Sequence, residues 1–420
     1  MKLSRRTVLY MGGSAAVLGA GMRHGFVRAA RPGAPDGPLS PQAQALYDRA
    51  WKGLDPARVL DTHAHVVGLG TGGSGCWVNP RMQSLLRHPA HYARFAIYVR
   101  AAGVTNTAEA DAQYVARLVE RVRSQKPHGR LLILAFDWVH DTDGNPLREE
   151  SEFYTPNDYV LRLAREYPDC FVPAVSIHPY RKDAVEELHR CVEAGAVAVK
   201  WLPNAHVIDP SSPRCDAFYD ALVELDVPLV THAGEERAVH AEEAQKCGNP
   251  LHLRRPLERG VKVVVAHGAS LGKGEDLDVP GTQKPLADSF DLFLRLMAEP
   301  QWEGRLWGDI SALPQFNRAG RPLKELLTRT ELHPRLVNGS DYPLPAINAL
   351  TRTGVLVGLH YLTDADRVLL NELDRHNPLA FDFALKRTLR VLTPEGERRF
   401  ADNIFEAPPE LFSRLPPMPA

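Results

Sequence analysis

Four histidines and one aspartate each follow a short apolar run: His63 and His65 in DTHAH, His232 in THAG, His267 in AHG and Asp341 in NGSDYP. A lysine, Lys200, occupies the same kind of position in VKWLP. Residues i and i+2 of a strand point to the same side, so His63 and His65 present two imidazoles together. Imidazole is a good ligand for zinc and similar divalent ions. A third imidazole from His232 and a carboxylate from Asp341 would complete a His₃Asp shell with room for a water. A divalent ion lowers the pKa of such a water towards ~7 and makes it a nucleophile at neutral pH. Any one of these histidines read alone is better explained as a satisfied core or rim residue. The chain holds 17 histidines, and coincidence is a poor account of four at matching positions.

The elements that must position these residues are legible as eight apolar runs. They cover 59–67, 131–139, 171–179, 196–203, 227–234, 261–268, 305–313 and 335–343. Each carries Val, Ile and Leu first and polar residues last. Continuous apolar runs of this length read as parallel strands covered on both faces. Helical patterns lie between them, as in 183–195 with Gly195 at its C-terminus and 156–168 with Asn157 as N-cap and Pro168 as stop. Eight strands alternating with helices predict a (β/α)₈ TIM barrel, whose active sites lie where the strands end. An open doubly wound sheet fits less well, because no G-x-G-x-x-G follows the first strand. The stretch 68–130 is a long insertion after strand 1, expected to form a lid or wall over the mouth. From Pro378 the chain reads as a final helix and a proline-rich tail.

Composition is that of an ordinary globular protein, 44% hydrophobic and 24% charged with a net charge of -1. That balance gives no support for nucleic-acid binding. Residues 1–30 differ. Adjacent Arg5 and Arg6, an apolar run from Val8 to about Met22 and small residues at Ala29 and Ala30 read as a twin-arginine-type signal peptide. A linker over 31–42 and a single barrel domain over 43–420 follow. The expected partner is the twin-arginine export machinery, and the expected location is periplasmic or secreted. Five cysteines without a C-x-x-C imply no disulfide or zinc-ribbon framework.

Taken in order, DTHAH (61–65), VKWLP (199–203), THAG (231–234), AHG (266–268) and NGSDYP (338–343) resemble the amidohydrolase superfamily, in the branch called amidohydrolase 2. The resemblance spans the whole mature barrel and implies His63, His65 and His232 as metal ligands. It implies Asp341 as a ligand that also takes a proton from the attacking water. His267 would orient or polarise the substrate beside one ion, or bind a second ion. Lys200 would be carboxylated and bridge two ions, or remain an unmodified rim lysine. The implied cofactor is one or two divalent ions, zinc by default, with manganese, iron or cobalt also fitting the shell.

Trp138, His178, Trp201, Asn204 and His206 lie at or just past strand ends and would line a pocket or pack. Arg237 and Lys273 would meet a substrate carboxylate or remain solvated, and Asp309 would support the site or the fold. The function implied is hydrolysis of an amide, lactone or ester-like bond in a small molecule. A nonoxidative decarboxylase of an aromatic or unsaturated acid is the alternative on the same fold. A non-catalytic periplasmic binding protein is the third reading, and homo-oligomerisation is compatible with all three.

Overall fold

In the computed structural model, residues 37–239, 242–347 and 349–419 are described. The expected signal segment, 1–30, lies outside them. Among the described residues the first helix, Pro41–Trp51, starts with proline at its first position and with the Ser40 side chain accepting from Ala43 N. The last two residues of the expected 31–42 linker are therefore helical.

Eight parallel strands follow one another around a barrel in chain order. They are β1 (Leu60–His65), β2 (Arg130–Leu134), β3 (Phe171–Val175), β4 (Ala198–Trp201), β5 (Leu229–His232), β6 (Val263–Ala266), β7 (Leu306–Asp309) and β8 (Leu336–Val337). The gap between β8 and β1 is bridged by backbone bonds from Thr62 N to Asn338 O, 2.8 Å, Asp341 N to His63 O, 2.7 Å, and His65 N to Tyr342 O, 2.9 Å. The eight-stranded (β/α)₈ architecture is thus as expected. Each strand lies within its apolar run, or within one residue of it, but is shorter. The polar last residues of the runs form the turns of the rim.

Side-chain alternation separates a lumen from an outer face. Leu132, Leu134, Val172, Val230, Val264, Trp307 and Val337 pack together inside the barrel. Val199, Leu229, Val263 and Val265 pack outward against the helices. Lys200, His232 and Asp309 each lie two residues after a lumen-facing side chain and share its parity. On β1 the register shifts between Asp61 and Ala64, so Leu60 and His63 both turn inward despite their odd spacing. The C-terminal segment is more than a tail, since Leu411 and Phe412 join the lumen core.

Two helix ends refine the expectations. The helix Ala184–Glu193 ends with Gly195 at φ 105°, a conformation that favours glycine. Asn157 is the first residue of its helix rather than its cap. Its side chain reaches outward, accepting from Ser176 N and donating to Glu187, both at 2.9 Å. The connection from β1 to β2 contains the helices Pro89–Ala101 and Ala110–Arg123. The first of them gives Arg94, Ile97 and Tyr98 to the wall of the cavity at the barrel mouth.

Candidate metal centre

At the rim, His63 Nε2 lies 3.3 Å from His65 Nε2. Asp341 Oδ1 lies 3.3 Å from His65 Nε2 and 3.6 Å from His63 Nε2. Two nitrogens bound tetrahedrally to zinc at ~2.0–2.1 Å are ~3.3 Å apart, so this spacing matches a shared ion. A proton on His65 Nε2 holds these atoms together by hydrogen bonding, and a divalent ion would take that proton's place between the same three atoms. His232 is 3% exposed, and both its ring nitrogens lack a hydrogen-bond partner. Such an orphaned imidazole facing the same cavity is a further sign that a ligand belongs there. The donor set therefore fits a divalent cation.

Asp309 organises the histidines from behind. Fully buried, it accepts from His63 Nδ1 at 2.8 Å. Its other oxygen accepts from His267 N at 2.8 Å, from Ser311 N at 2.9 Å and from the Ser311 hydroxyl. Ser311 Oγ in turn accepts from His267 Nδ1 at 2.7 Å. These partners hold the Nδ1–H form of both rings, which leaves each Nε2 lone pair turned to the cavity. Burial lowers the pKa values of His63, His232 and His267, so all three are neutral, as ligation requires. For Asp341, burial raises the pKa, but His65, His63 and Lys200 outweigh it and hold the carboxylate ionised.

Lys200 is buried and donates from Nζ to His63 Nε2 at 3.2 Å. Burial lowers its pKa to about 8. His267 and Asp341 both have left-handed backbones, φ 56° and φ 59°. Non-glycine residues there cost ~1–3 kcal/mol each, a strain that clusters at functional sites. Gly339 is needed for a different reason, because a Cβ there would lie 2.7 Å from that of His63.

These groups form the floor of a cavity of about 420 Å³. Its walls are mostly apolar, with Phe136, Phe153, Leu202 and Ile347 among them, and Arg237 lies at the mouth.

For the residues read as either pocket-lining or packing, and for Lys273, the structure shows packing or exposure. Trp201 is one residue past Lys200 and so points to the outer face, stacked 5.5 Å from Phe218 with its indole donating to Ile177 O. His178 is satisfied on both nitrogens, donating to His206 O at 2.9 Å and accepting from Tyr180 N at 3.2 Å. His206 is buried beside Phe136, with Nδ1 accepting from Leu202 N. Asn204 ties its turn to Gly234 O and Gln245. Trp138 stacks on Tyr154 at 4.1 Å and has Arg148 over its ring. Lys273 is exposed on a short outer strand.

Other residues of the site were not singled out from the sequence. Glu236 is buried in the cavity wall and brings Oε2 within 3.5 Å of His232 Nδ1. Its i+4 position after His232 was an available signal. Asp61 accepts from His63 N at 3.0 Å and Ser340 N at 2.8 Å, joining the two ligand-bearing ends. Its carboxyl is pushed up to about 7 by burial. Lys386 supports Gly339 O from below, and Arg318 lines the cavity. Both come from distant segments with no local signature.

The family model described as amidohydrolase matches residues 61–367, well over half of the chain. No curated protein sequence matches significantly. Similar solved structures include 5-carboxyvanillate decarboxylase from Sphingomonas paucimobilis, 11% identical, covering 85% of this chain and 99% of that one, TM-score 0.45. A protein of Pseudomonas putida, provisionally assigned as a 2-pyrone-4,6-dicarboxylic acid hydrolase, is 15% identical, with 79% and 99% covered and TM-score 0.41. A 4-oxalomesaconate hydratase of Rhodopseudomonas palustris is 14% identical, with 78% and 98% covered and TM-score 0.40. None of the three assigns a reaction to this chain. On the family match, the chain belongs to the amidohydrolase family, whose members are generally metal-dependent enzymes.

Proposed function

We propose that the protein is a metal-dependent hydrolase that cleaves an amide, lactone or ester-like bond in a small, largely apolar molecule. The observation that carries this reading is the convergence of His63 Nε2, His65 Nε2 and Asp341 Oδ1 within 3.3–3.6 Å on the cavity floor. His63, His65 and Asp341 would hold the ion, and His232 would complete the shell. Zinc suits this set, and one ion is the preferred stoichiometry. The other grouping of ligand-type atoms among the described residues, His63, His267 and Asp309, relies on an aspartate already bonded to His63 Nδ1.

An ion held by these residues would supply the Lewis acidity that makes a water nucleophilic at neutral pH. Asp341, ionised at the centre of the site, is placed to accept a proton from an attacking water. His267, with Nδ1–H engaged by Ser311, turns Nε2 towards Asp341 Oδ2 at 3.9 Å and relays the proton on. Lys200 donates towards the oxygen that gains charge in the transition state. The apolar walls keep bulk water from the reacting carbonyl. We propose further that residues 1–30 direct the chain to the twin-arginine exporter.

Elemental analysis of the purified mature protein tests this reading, with one equivalent of divalent ion expected. Ester, lactone and amide panels should then give carboxylate products in the metal-loaded protein and none after chelation. Carbon dioxide release without carboxylate formation would overturn the hydrolase reading in favour of decarboxylation. A protein purified without stoichiometric metal would overturn both.

A further inference from the structure

Among the described residues three guanidinium groups line the cavity, and two are neutralised. Arg94 pairs with Glu152 at 3.2 Å and donates to Ala238 O. Arg237 pairs with Glu235 at 2.9 Å. Arg318, from the loop after β7, differs. It is 8% exposed, and its one hydrogen bond among the described residues is from Nη1 to Ser270 Oγ at 2.8 Å. Its Nε is buried with no partner. A guanidinium has five donors in a fixed fork, so Arg318 leaves most of its capacity unused.

Burying a charge without pairing costs several kcal/mol, so natural proteins rarely leave one in that state. The nearby carboxylates attract Arg318 but are committed elsewhere. Asp341 belongs to the ligand set, and Asp309 is bound to His63, His267 and Ser311. Glu236 accepts from Val239 N at 3.1 Å and from Ala238 N. None makes an ion pair with Arg318. Ser270 anchors the guanidinium three residues after His267, so the fork is held at the reacting end of the cavity. The remaining walls offer an apolar body little beyond van der Waals contact.

On the reading of the cavity as the substrate site, we infer that Arg318 selects the substrate by binding one carboxylate carried on an apolar body. The planar fork matches a carboxylate in two parallel hydrogen bonds. The anion supplies the missing countercharge and takes up the orphaned donors. Arg318 is a specificity residue, and the neutral isostere of the same substrate is what it rejects.

The test measures binding of 3-phenylpropanoate and of its neutral isostere 3-phenylpropanamide to the metal-loaded mature protein by calorimetry. Wild type should prefer the carboxylate by about tenfold or more, the scale of a hydrogen bond to a charged group. Arg318→Gln should bring the ratio near one while metal content and melting temperature stay close to wild type. Arg318→Lys, which keeps the charge without the fork, should lower the ratio severalfold and serves if the glutamine variant does not fold. Three outcomes overturn the inference: no preference in wild type, an unchanged ratio in a folded Arg318 variant, or a preference abolished by Arg237→Gln instead. A preference that survives Arg318→Gln would mean that the probe binds the metal. Metal content is read separately, so loss of the hydrolase reading is distinguishable from loss of this one.

Discussion

Asp309 Oδ2 accepts from His63 Nδ1 at 2.8 Å, and neither residue has more than 1% of its side chain exposed. That single bond decides which nitrogen of His63 faces the cavity. An asparagine at 309 would still offer an oxygen to the backbone N–H groups of His267 and Ser311. Towards His63 it would present an N–H, forcing the proton of the ring onto Nε2. Asp309→Asn should therefore weaken metal binding by about 10–100-fold with little change in fold. Chelator competition on the purified variant measures it, and wild-type affinity would remove Asp309 from this role.

Asp341→Asn separates ligation from proton transfer. The amide keeps the shape of the carboxylate and one oxygen beside His65, but it cannot take a proton from water. Turnover should fall by about 10²–10⁴-fold, the usual contribution of a general base. Metal content should fall less than in His65→Ala, where a whole ligand is lost. Parallel metal analysis and rate measurements compare the two, and equal losses in both quantities would argue against a distinct proton-accepting role.

Gly339 allows the end of β8 to pass directly over His63. A methyl group there meets the His63 Cβ at 2.7 Å, so either the 338–341 segment or β1 must move. Gly339→Ala should cost ~1–3 kcal/mol of stability, as overpacking does. It should also weaken metal binding, because His63 and Asp341 are joined across that contact. Denaturant melts with and without the ion report both effects.

Trp201 gives the opposite expectation. Buried against Phe218 and Tyr219 on the outer face, it touches no part of the cavity. Trp201→Ala should destabilise the fold by ~3–5 kcal/mol through the space it leaves. The KM of whatever fraction stays folded should be unchanged, and a selective rise in KM would restore Trp201 to the substrate site.

Bound metal should itself stabilise the protein. An ion held at a free concentration one hundred times its dissociation constant adds ~2.7 kcal/mol to the folded state. A melting temperature that rises with added zinc in wild type, but not in His65→Ala, is the expected pattern.

The sequence determined the barrel and the floor of its site because both follow from local periodicity. Apolar runs that end in polar residues mark strand ends, and a parity of two carries Lys200, His232 and Asp309 inward from Ala198, Val230 and Trp307. The same rule, applied one residue further, would have turned Trp201 outward. Tertiary structure alone decided the rest. Asp309 meets His63 across 246 positions of chain, and Lys386 reaches Gly339 across 47. Whether His178 is satisfied, or Arg318 Nε is left without a partner, depends on which backbone oxygens and side chains the packed loops bring near. No spacing rule encodes such contacts, because hydrogen-bond satisfaction is a property of three-dimensional neighbours rather than of chain position.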